Sequence, residues 1–335
     1  MSAMKRVAKA GALSLAICAV LASPCLADPY SLGNLGNFAV YGFGTAFTDQ
    51  LQPGALTVNG NVGIGPGGDL TLGGSGVTIS GRIFDYTTAA TNITFSGGPN
   101  NLSINGTTYP NGVAPATVVA GGGIVENSAI ATNAKLDEIT LYSTLAGLTQ
   151  TGTATTLSGQ TYNTANGVSN TTVIDVSGNT SLNGPDLTIT GDANDFFVFR
   201  ILGSFAGSSG GVITLNGVSA DHVIFDFLCA TTVVGVCNAT AGAGTSDVTF
   251  SGSFQGAGIV FGLERNITQD TPGGFWNGRY FSDTDRTIHL FSEATINQPT
   301  ITTQSTPEPG TFVLMFSGFA GLGMVVRRRR SGKAA

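Results

Sequence analysis

The sequence predicts an all-β-dominated protein, an irregular β-solenoid with one long α-helix packed alongside it and a short hydrophobic helix at the C-terminus. Three observations lead to this fold class. An apolar–Thr–apolar triplet recurs along the chain, 49 of the 335 residues are Gly, and one stretch has apolar residues at helical spacing. Charged residues make up only 10% of the chain, which disfavours a nucleic-acid partner because such proteins need many Lys and Arg to neutralise phosphates.

Residues 1–27 are typical of a secretory signal peptide. An uncharged, mostly apolar run from Ala10 to Ala22 precedes small residues around Cys25 and Ala27 at the expected cleavage site. The run is too short to span a bilayer comfortably. The alternatives are a retained anchor and a lipoprotein acylated at Cys25, and Pro24 fits the second poorly. The charged start of the segment consists of Lys5, Arg6 and Lys9.

Residues 307–335 contain a second candidate targeting signal, at the other end of the chain from the signal peptide. An apolar run from Phe312 to Val326 is long enough for a helix of only about 22 Å, and its large side chains surround the helix rather than line one face, which disfavours a core helix. The flanking arginines would hold their end on the cytoplasmic side. The motif residues are Pro307, Glu308, Pro309, Arg327, Arg328, Arg329 and Arg330.

This C-terminal pattern resembles the PEP-CTERM sorting signal of exported Gram-negative bacterial proteins. Thr306 stands where Val is commoner in the family. The resemblance implies transient anchoring in the inner membrane, recognition by an exosortase, removal of the tail, and delivery to the cell surface or extracellular matrix.

The body between these two signals, residues 28–306, is acidic. It keeps six basic and 19 acidic residues, a net charge of −13, which suits a soluble exported protein and disfavours anionic partners. Of the cysteines, Cys229 and Cys237 remain in the body, and an oxidising compartment favours a disulfide between them. A metal pair completed by His222 is the alternative, although CxxC spacing is absent. We expect no metal and no cofactor.

The recurrent triplets predict the strands of the solenoid. In a strand, alternate side chains face opposite ways, so each triplet buries two apolar residues and presents its central Thr outward. A Gly follows each triplet within two residues and permits a tight corner. The spacing is irregular, and a β-sandwich remains the structural rival. The seven central residues, our candidate surface-binding residues, are Thr57, Thr71, Thr78, Thr94, Thr188, Thr214 and Thr249.

One stretch, Asn127 to Leu148, predicts an amphipathic helix. It has few Gly, Gly147 near its end would help to terminate it, and Asp137 interrupts its apolar face. We expect this helix to pack along an apolar surface. The residues at helical spacing are Ile130, Ala134, Leu141, Leu145 and Leu148.

The order of these elements resembles the ice-binding-protein family, which is built on a discontinuous β-solenoid with a helix alongside. The resemblance runs from about residue 32 to 300, and the sequence departs from the pattern at 229–247 and 264–276. The segments that carry the resemblance are Leu35 to Val40, Val58 to Gly67, Leu157 to Tyr162, Gly191 to Arg200, Asn277 to Arg279, and Ile288 to Ile296.

The resemblance implies a mechanism for the outward threonines. Successive coils lie about 4.7–4.9 Å apart, so a ladder of Thr would offer regularly placed methyl and hydroxyl groups that adsorb to an ice face through many weak contacts. The bland alternative is that Thr simply favours strands through its β-branch.

A protein of the exopolysaccharide matrix, or an adhesin without ice activity, is the alternative function. In that case Thr, Asn and Ser would contact extracellular polysaccharide, with Tyr280 or Trp276 stacking on a sugar ring.

An enzyme is disfavoured. The candidate clusters for catalysis are Asp283 and Asp285 with Arg286, and Asp221 with His222, and solvated loop carboxylates explain them more simply. Asp192, Asn194 and Asp195 suggest a calcium loop, but the Gly and the final acid of an EF-hand are missing, which favours a turn.

Overall fold

The computed structural model describes residues 29–42, 56–73, 76–96, 102–110, 112–164, 170–184, 186–208, 210–227, 232–233, 236–237, 248–262, 265–282, 287–290 and 294–299. These residues lie within one compact unit, Asp28–Thr300. The described part contains two α-helices, α1 (Pro115–Ala120) and α2 (Ala129–Gly147), and a 3₁₀ helix at each of Gly33–Asn37 and Ala220–His222.

Short strands make up nearly half of the described chain. In chain order they are β1 (Val40–Gly42), β2 (Thr57–Asn59), β3 (Val62–Ile64), β4 (Leu70–Gly73), β5 (Thr78–Ile79), β6 (Ile83–Asp85), β7 (Ile93–Ser96), β8 (Leu102–Ile104), β9 (Thr107–Tyr109), β10 (Ile124–Val125), β11 (Gly152–Ala154), β12 (Thr161–Asn163), β13 (Thr171–Val176), β14 (Thr180–Leu182), β15 (Leu187–Thr190), β16 (Phe196–Ile201), β17 (Phe205–Gly207), β18 (Ile213–Asn216), β19 (Val223–Phe227), β20 (Thr232–Val233), β21 (Val236–Cys237), β22 (Val248–Ser251), β23 (Gln255–Gly262), β24 (Ile267–Asp270), β25 (Phe275–Ser282), β26 (Ile288–Leu290) and β27 (Thr295–Asn297).

The strands stack in parallel into a solenoid with three faces, and a coil contributes at most one strand to each face. The first face contains β11, β13, β16, β19, the second halves of β23 and β25, β1, β3, β6 and β10. The second face contains β14, β17, β22, β24 and β26, and the pair β4–β7. The third face contains β12, β15, β18, the first halves of β23 and β25, then β27, β2, β5 and β8. The two eight-residue strands turn a corner between faces, which is why they belong to two ladders.

The coils do not stack in chain order throughout. Coils from β11 to β27 follow one another, and the N-terminal coils then continue the stack from its C-terminal end. At this seam Tyr280 pairs with Val40, and Thr295 pairs with Thr57. The solenoid is therefore discontinuous, and the N-terminus of the body stacks beside its C-terminus.

Helix α2 connects the two far ends of the stack. Along the first face, ten strands run from β10 to β11, a distance of about 43 Å at about 4.8 Å per step. The 19-residue helix covers about 28 Å, and the seven residues flanking it can span at most about 23 Å. The helix with its short flanks is therefore just long enough to return the chain along the first face.

The helix packs on the first face through apolar side chains and makes polar contacts with Tyr41 and with the 3₁₀ helix Gly33–Asn37. Ala131, Ala134, Leu141 and Leu145 are fully buried against the sheet. The hydroxyl of Tyr41 donates to the carbonyl of Ala131. Further contacts come from the Asp137 carboxylate, which accepts from the Asn34 backbone N–H at 2.6 Å and from its side-chain amide at 2.7 Å. Ser128 caps the helix by accepting from the N–H of Ala131.

One end of the stack has a dedicated cap. There β9 turns back antiparallel to β8, and α1 places Val118 over the end of the core with Tyr109 beside it. Gly123 allows this approach, since a Cβ there would lie 2.8 Å from the Val118 side chain. The cap covers apolar side chains that would otherwise face water.

The predicted fold class is confirmed by this architecture. The helix spans Ala129–Gly147 rather than 127–148, and within its predicted apolar face Ile130 is exposed while Leu148 is only partly buried. Gly147 is the last helical residue, as expected. In the departing segment 229–247, β20 and β21 pair antiparallel, unlike the coils around them. The C-terminal hydrophobic helix and the signal peptide fall outside the described residues.

Candidate surface-binding face

The outward position of the triplet threonines follows from strand alternation. Thr57 lies between Leu56 and Val58, both 2% exposed. The same arrangement holds for Thr188 between Leu187 and Ile189, which are fully buried. Each Thr is at least partly exposed, while the flanking side chains build the core.

The third face aligns three threonines on consecutive coils. Thr295 of β27 lies opposite Thr57 of β2, and Thr57 lies opposite Thr78 of β5. Ser103 of β8 continues the row. Parallel pairing sets these hydroxyl-bearing side chains about 4.8 Å apart along the stack. We call Thr295, Thr57, Thr78 and Ser103 the Thr row.

A second row of polar side chains runs parallel to the Thr row, two residues further along each strand. Asn297 and Asn59 face each other, and the side-chain amide of Asn59 donates to the Asn297 carbonyl oxygen at 2.8 Å. Ser80 and Asn105 continue this row. We call these four residues the Asn row. Two residues along a strand span about 6.8 Å, so the two rows form a small two-dimensional array.

Two further candidates, Thr188 and Thr214, also lie on the third face but in a different register. Together with Thr161 they form a row on β12, β15 and β18. The bridge between Val212 and Gln255 shows that this row is aligned with the Asn row and not with the Thr row. The two groups of threonines are therefore offset by two residues.

The break between these groups is marked by Phe275. It lies between Gln255 and Thr295 in the line of the Thr row, and its side chain is 39% exposed. An aromatic ring at this position interrupts the small polar side chains of the third face.

The other three candidates lie on the second face. Thr71 of β4 lies opposite Thr94 of β7. Thr249 of β22 is flanked by Ala206 and Thr268. This row continues to His289, so it includes a bulky imidazole. The seven predicted residues are thus divided between two faces.

The first face is unavailable as a flat binding surface, because α2 covers it. Beneath the helix, Arg200 pairs with Asp175 at 2.6 Å and donates to the carbonyl of Leu148 at 3.3 Å. Its other neighbour in the ladder, Asp226, is fully buried, and its carboxylate oxygens have no hydrogen-bond partner among the described residues. Burial raises the pKa of Asp226 to about 7, against the opposing effect of Arg200.

The proposed catalytic pair Asp221 and His222 is engaged in packing. The Asp221 carboxylate accepts from Nε of the buried Arg279 at 2.7 Å and from its terminal nitrogen at 3.2 Å. His222 stacks on Phe196 with ring centroids 4.0 Å apart. These contacts give both residues a structural role. Asp283, Asp285 and Arg286 lie outside the described residues.

The expectation that Tyr280 or Trp276 stacks on a sugar ring is wrong. Both side chains are buried, at 0% and 1% exposed, because strand alternation turns them into the core. Trp276 lies over Gly256, where a Cβ would stand 2.1 Å from the ring, and its indole N–H donates to the carbonyl of Gly258 at 2.8 Å.

The turn at Asp192, Asn194 and Asp195 is also structural. Although burial opposes it, hydrogen bonds from the Asp192 backbone, the Thr164 hydroxyl and Asn170 lower the pKa of Asp195. The carboxylate therefore closes a turn. Within the described residues, no group of three or more His, Cys, Asp or Glu side chains is placed to hold a metal ion.

Several predicted residues are not described by the structure. The sorting motif around Pro307 and Arg327 lies outside it, and the side-chain placement of Cys229 and Cys237 is undescribed, so their disulfide stays a prediction. None of the helices in the described part is long and apolar enough to cross a membrane.

Sequence reasoning missed three features of the third face: Thr295, the Asn row and the exposed Phe275. A signal for the first two was present, since the pattern Thr–apolar–Asn occurs at Thr57 to Asn59 and at Thr295 to Asn297. Thr295 also lies between apolar Ala294 and Ile296, but no Gly follows this triplet within two residues. Phe275 carried no comparable signal, because its exposure depends on where the strand turns its corner.

Comparison with known proteins gives one family match and several structural similarities. Residues 305–330 match the PEP-CTERM protein-sorting motif, which indicates an exported protein sorted to the cell surface and confirms the expected sorting signal. No curated protein sequence matches the chain.

The similar solved structures are ice-binding proteins. One is from the Antarctic ascomycete Antarctomyces psychrotrophicus, with a TM-score of 0.46, 18% identity, and coverage of 81% of this chain and 98% of that one. An ice-binding protein from an Arctic yeast has a TM-score of 0.48 and 19% identity, and the match covers 82% of this chain and 96% of that one. Ice-binding protein 1 of Shewanella frigidimarina has a TM-score of 0.47 and 14% identity, and the match covers 81% of this chain and 98% of that one. The resemblance stated from the sequence is found again here as a similarity.

Proposed function

We propose that this exported protein adsorbs to ice through the third face of its solenoid. The observation that carries the proposal is the Thr row, in which Thr295, Thr57 and Thr78 occupy the same position on three consecutive coils. The Asn row beside it widens the array. The sequence resemblance to ice-binding proteins directs the choice of ligand.

The chemistry of the array suits a crystalline surface rather than a single small ligand. The rows repeat at about 4.8 Å along the stack and about 6.8 Å across it, so methyl, hydroxyl and amide groups are held at fixed intervals on a rigid sheet. Each contact with ordered water is weak, and the contacts add over the area. On the strands β27, β2, β5 and β8 no side chain is ionisable, so the array offers no charge that would order water around itself.

A bulky side chain in the Thr row tests the proposal. We expect Thr57→Tyr and Thr78→Tyr each to reduce thermal hysteresis and ice recrystallisation inhibition at least fivefold, because a ring holds the rest of the array away from the ice. The matched control is Thr249→Tyr on the second face, which should keep the parent activity. The measurements use protein recovered after export and checked for a β-type circular dichroism spectrum.

The outcomes separate the faces and the function. Loss of activity in Thr249→Tyr alone would assign the ice contact to the second face. A folded parent protein without activity at high micromolar concentration would contradict ice adsorption itself.

We further propose that the C-terminal segment anchors the chain in the inner membrane of a Gram-negative cell until an exosortase removes it. The support is the sorting motif at residues 305–330. Replacing Pro307 and Pro309 by Ala should leave the tail attached, which intact mass measurement of the exported protein detects. If the masses of the variant and the parent differ only by the two Pro→Ala substitutions, the tail is processed alike in both, and this result would contradict the proposal.

We infer that the protein acts by binding rather than catalysis. Within the described residues the one candidate catalytic pair is Asp221 and His222. Asp221 pairs with Arg279, and His222 packs on Phe196. Hydrolysis or lyase activity of the exported protein on polysaccharide substrates would refute this inference.

A further inference from the structure

We propose that Phe275 and its polar neighbours on the third face bind an uncharged polysaccharide. The proposal goes beyond ice adsorption and is centred on Phe275, a residue outside the Thr row and the Asn row. Phe275 is the one large aromatic side chain that the described residues expose. It lies on a regular sheet surface, in register with Gln255 on one side and Thr295 on the other.

The surroundings of Phe275 suit a sugar. Its ring is held on β25, whose next residue, Trp276, is anchored in the core by packing and by its hydrogen bond to Gly258. The backbone beneath the ring is therefore rigid. A ring presented from a rigid strand stacks on the flat C–H face of a pyranose at little cost in conformational entropy.

The hydrogen-bonding groups around the ring match sugar hydroxyls. Gln255 and Asn277 are exposed beside Phe275, and Asn297 follows Asn277 on the next coil. Amide side chains donate and accept at once, as hydroxyl groups do. Their spacing of one coil sets a line of such groups alongside the ring.

Charge decides which polysaccharide fits. From Gln255–Ala257 through Phe275–Asn277 to Thr295–Asn297, the third-face residues contain no ionisable side chain. The body as a whole carries a net charge of −13, which repels acidic polymers. A neutral chain of β-linked pyranose rings, with C–H faces accessible to the Phe275 ring, is therefore the complementary partner.

Affinity electrophoresis in gels containing hydroxyethyl cellulose tests this binding, with charged carboxymethyl cellulose as the comparison. We expect the exported protein to be retarded by the neutral polymer and much less by the charged one. Phe275→Ala should lower the apparent affinity at least fivefold, and Phe275→Tyr should restore it because the ring is kept. Leu136→Ala, which shortens an exposed apolar side chain on α2, is the control and should bind as the parent does.

The proposal is overturned if none of the three neutral polymers, hydroxyethyl cellulose, laminarin and xylan, retards the parent. It is also overturned if Phe275→Ala binds as well as the parent. Stronger retardation by carboxymethyl cellulose would assign the face to a charged polymer instead. Ice activity separates this proposal from the previous one: Phe275→Ala should retain thermal hysteresis, while Thr78→Tyr should lose it and keep glycan binding.

Discussion

The two halves of the solenoid have different cores. From β13 to β27 the core contains aromatic rings in contact, and Phe250 has Trp276 at 4.8 Å and Phe254 at 5.1 Å. From β1 to β8 it is built mainly of aliphatic side chains such as Ile79 and Ile93. The strands differ as well, with up to eight residues in the C-terminal half and two to four in the N-terminal half.

The two cores differ in how much stability each can supply on its own. Large rings bury more apolar area per residue than Val or Ile, so the C-terminal coils can hold together through their own core. The N-terminal coils have shorter ladders, and they rely on the cap, on α2 and on the seam with the C-terminal coils.

A buried guanidinium adds side-chain contacts to the strand pairing at the seam. Arg279 donates to both oxygens of Asp221, to the carbonyls of Gly36 and Phe38 at 2.8 and 2.7 Å, and to that of Pro299 at 3.1 Å. It thus connects the start of the body, its middle and its end.

The largest expected effect is therefore at the seam. Arg279→Ala should cost about 3–5 kcal/mol, because it leaves the Asp221 carboxylate and several carbonyls without their partner. Hydrogen exchange should accelerate first in residues 40–109. The exposed Arg82→Ala is the control, and equal protection of both halves in Arg279→Ala would contradict a seam role.

The next effect is expected in the two cores. Phe250→Ala should cost about 3–5 kcal/mol, and Ile79→Ala about 2–4 kcal/mol. The two variants should differ more in which region is destabilised than in the loss of unfolding free energy. The Phe250 change should lower the urea midpoint reported by Trp276 fluorescence. The Ile79 change should chiefly increase hydrogen exchange in residues 57–104. Identical exchange patterns in the two variants would show that the halves unfold as one unit.

A pH dependence is expected from the C-terminal half. The Asp226 carboxyl stays neutral in the folded protein until its pKa of about 7, whereas the ordinary value is 3.8. The unfolded chain therefore loses its proton first, and stability should fall between pH 4 and pH 7 by about 2–4 kcal/mol.

Asp226→Asn tests this dependence because it removes the ionisation and keeps the shape. Urea unfolding should show the variant matching the parent near pH 4 and exceeding it above pH 7. Asp175→Asn, at the more exposed end of the same ladder, is the comparison. A parallel pH profile for parent and Asp226→Asn would exclude Asp226 as the source.

The smallest effect is expected where α2 meets the N-terminal segment. Asp137→Ala removes the acceptor for two hydrogen bonds from Asn34 and should cost about 1 kcal/mol, because the site is partly exposed. Exchange of the 3₁₀ helix Gly33–Asn37 should increase while the core coils stay protected. The exposed Asp69→Ala should change neither.

Local pattern was sufficient for the strands, the corners and the helix. Strand alternation placed Leu56 and Val58 inward with Thr57 outward, and helical spacing located α2 to within two residues at each end. These features depend on neighbours in the chain, so the residues themselves carry the information.

The candidate surface was predicted only in part. All seven threonines are outward, yet they fall on two faces and in different rows, because pairing register is set between strands distant in sequence. Thr295 joins Thr57 across the seam only through the discontinuous stacking. Whether Trp276 and Tyr280 are buried likewise depends on where their eight-residue strand turns from the third face to the first.

Residue patterns within short segments are enough to specify the short Thr-bearing strands, the amphipathic helix, the acidic body and the C-terminal sorting motif. They do not specify that the first coils stack on the last, that Arg279 joins them, which face α2 covers, or that Phe275 is exposed on another. These outcomes depend on long-range strand pairing and on the packing of whole faces, in which no short segment of sequence is decisive on its own.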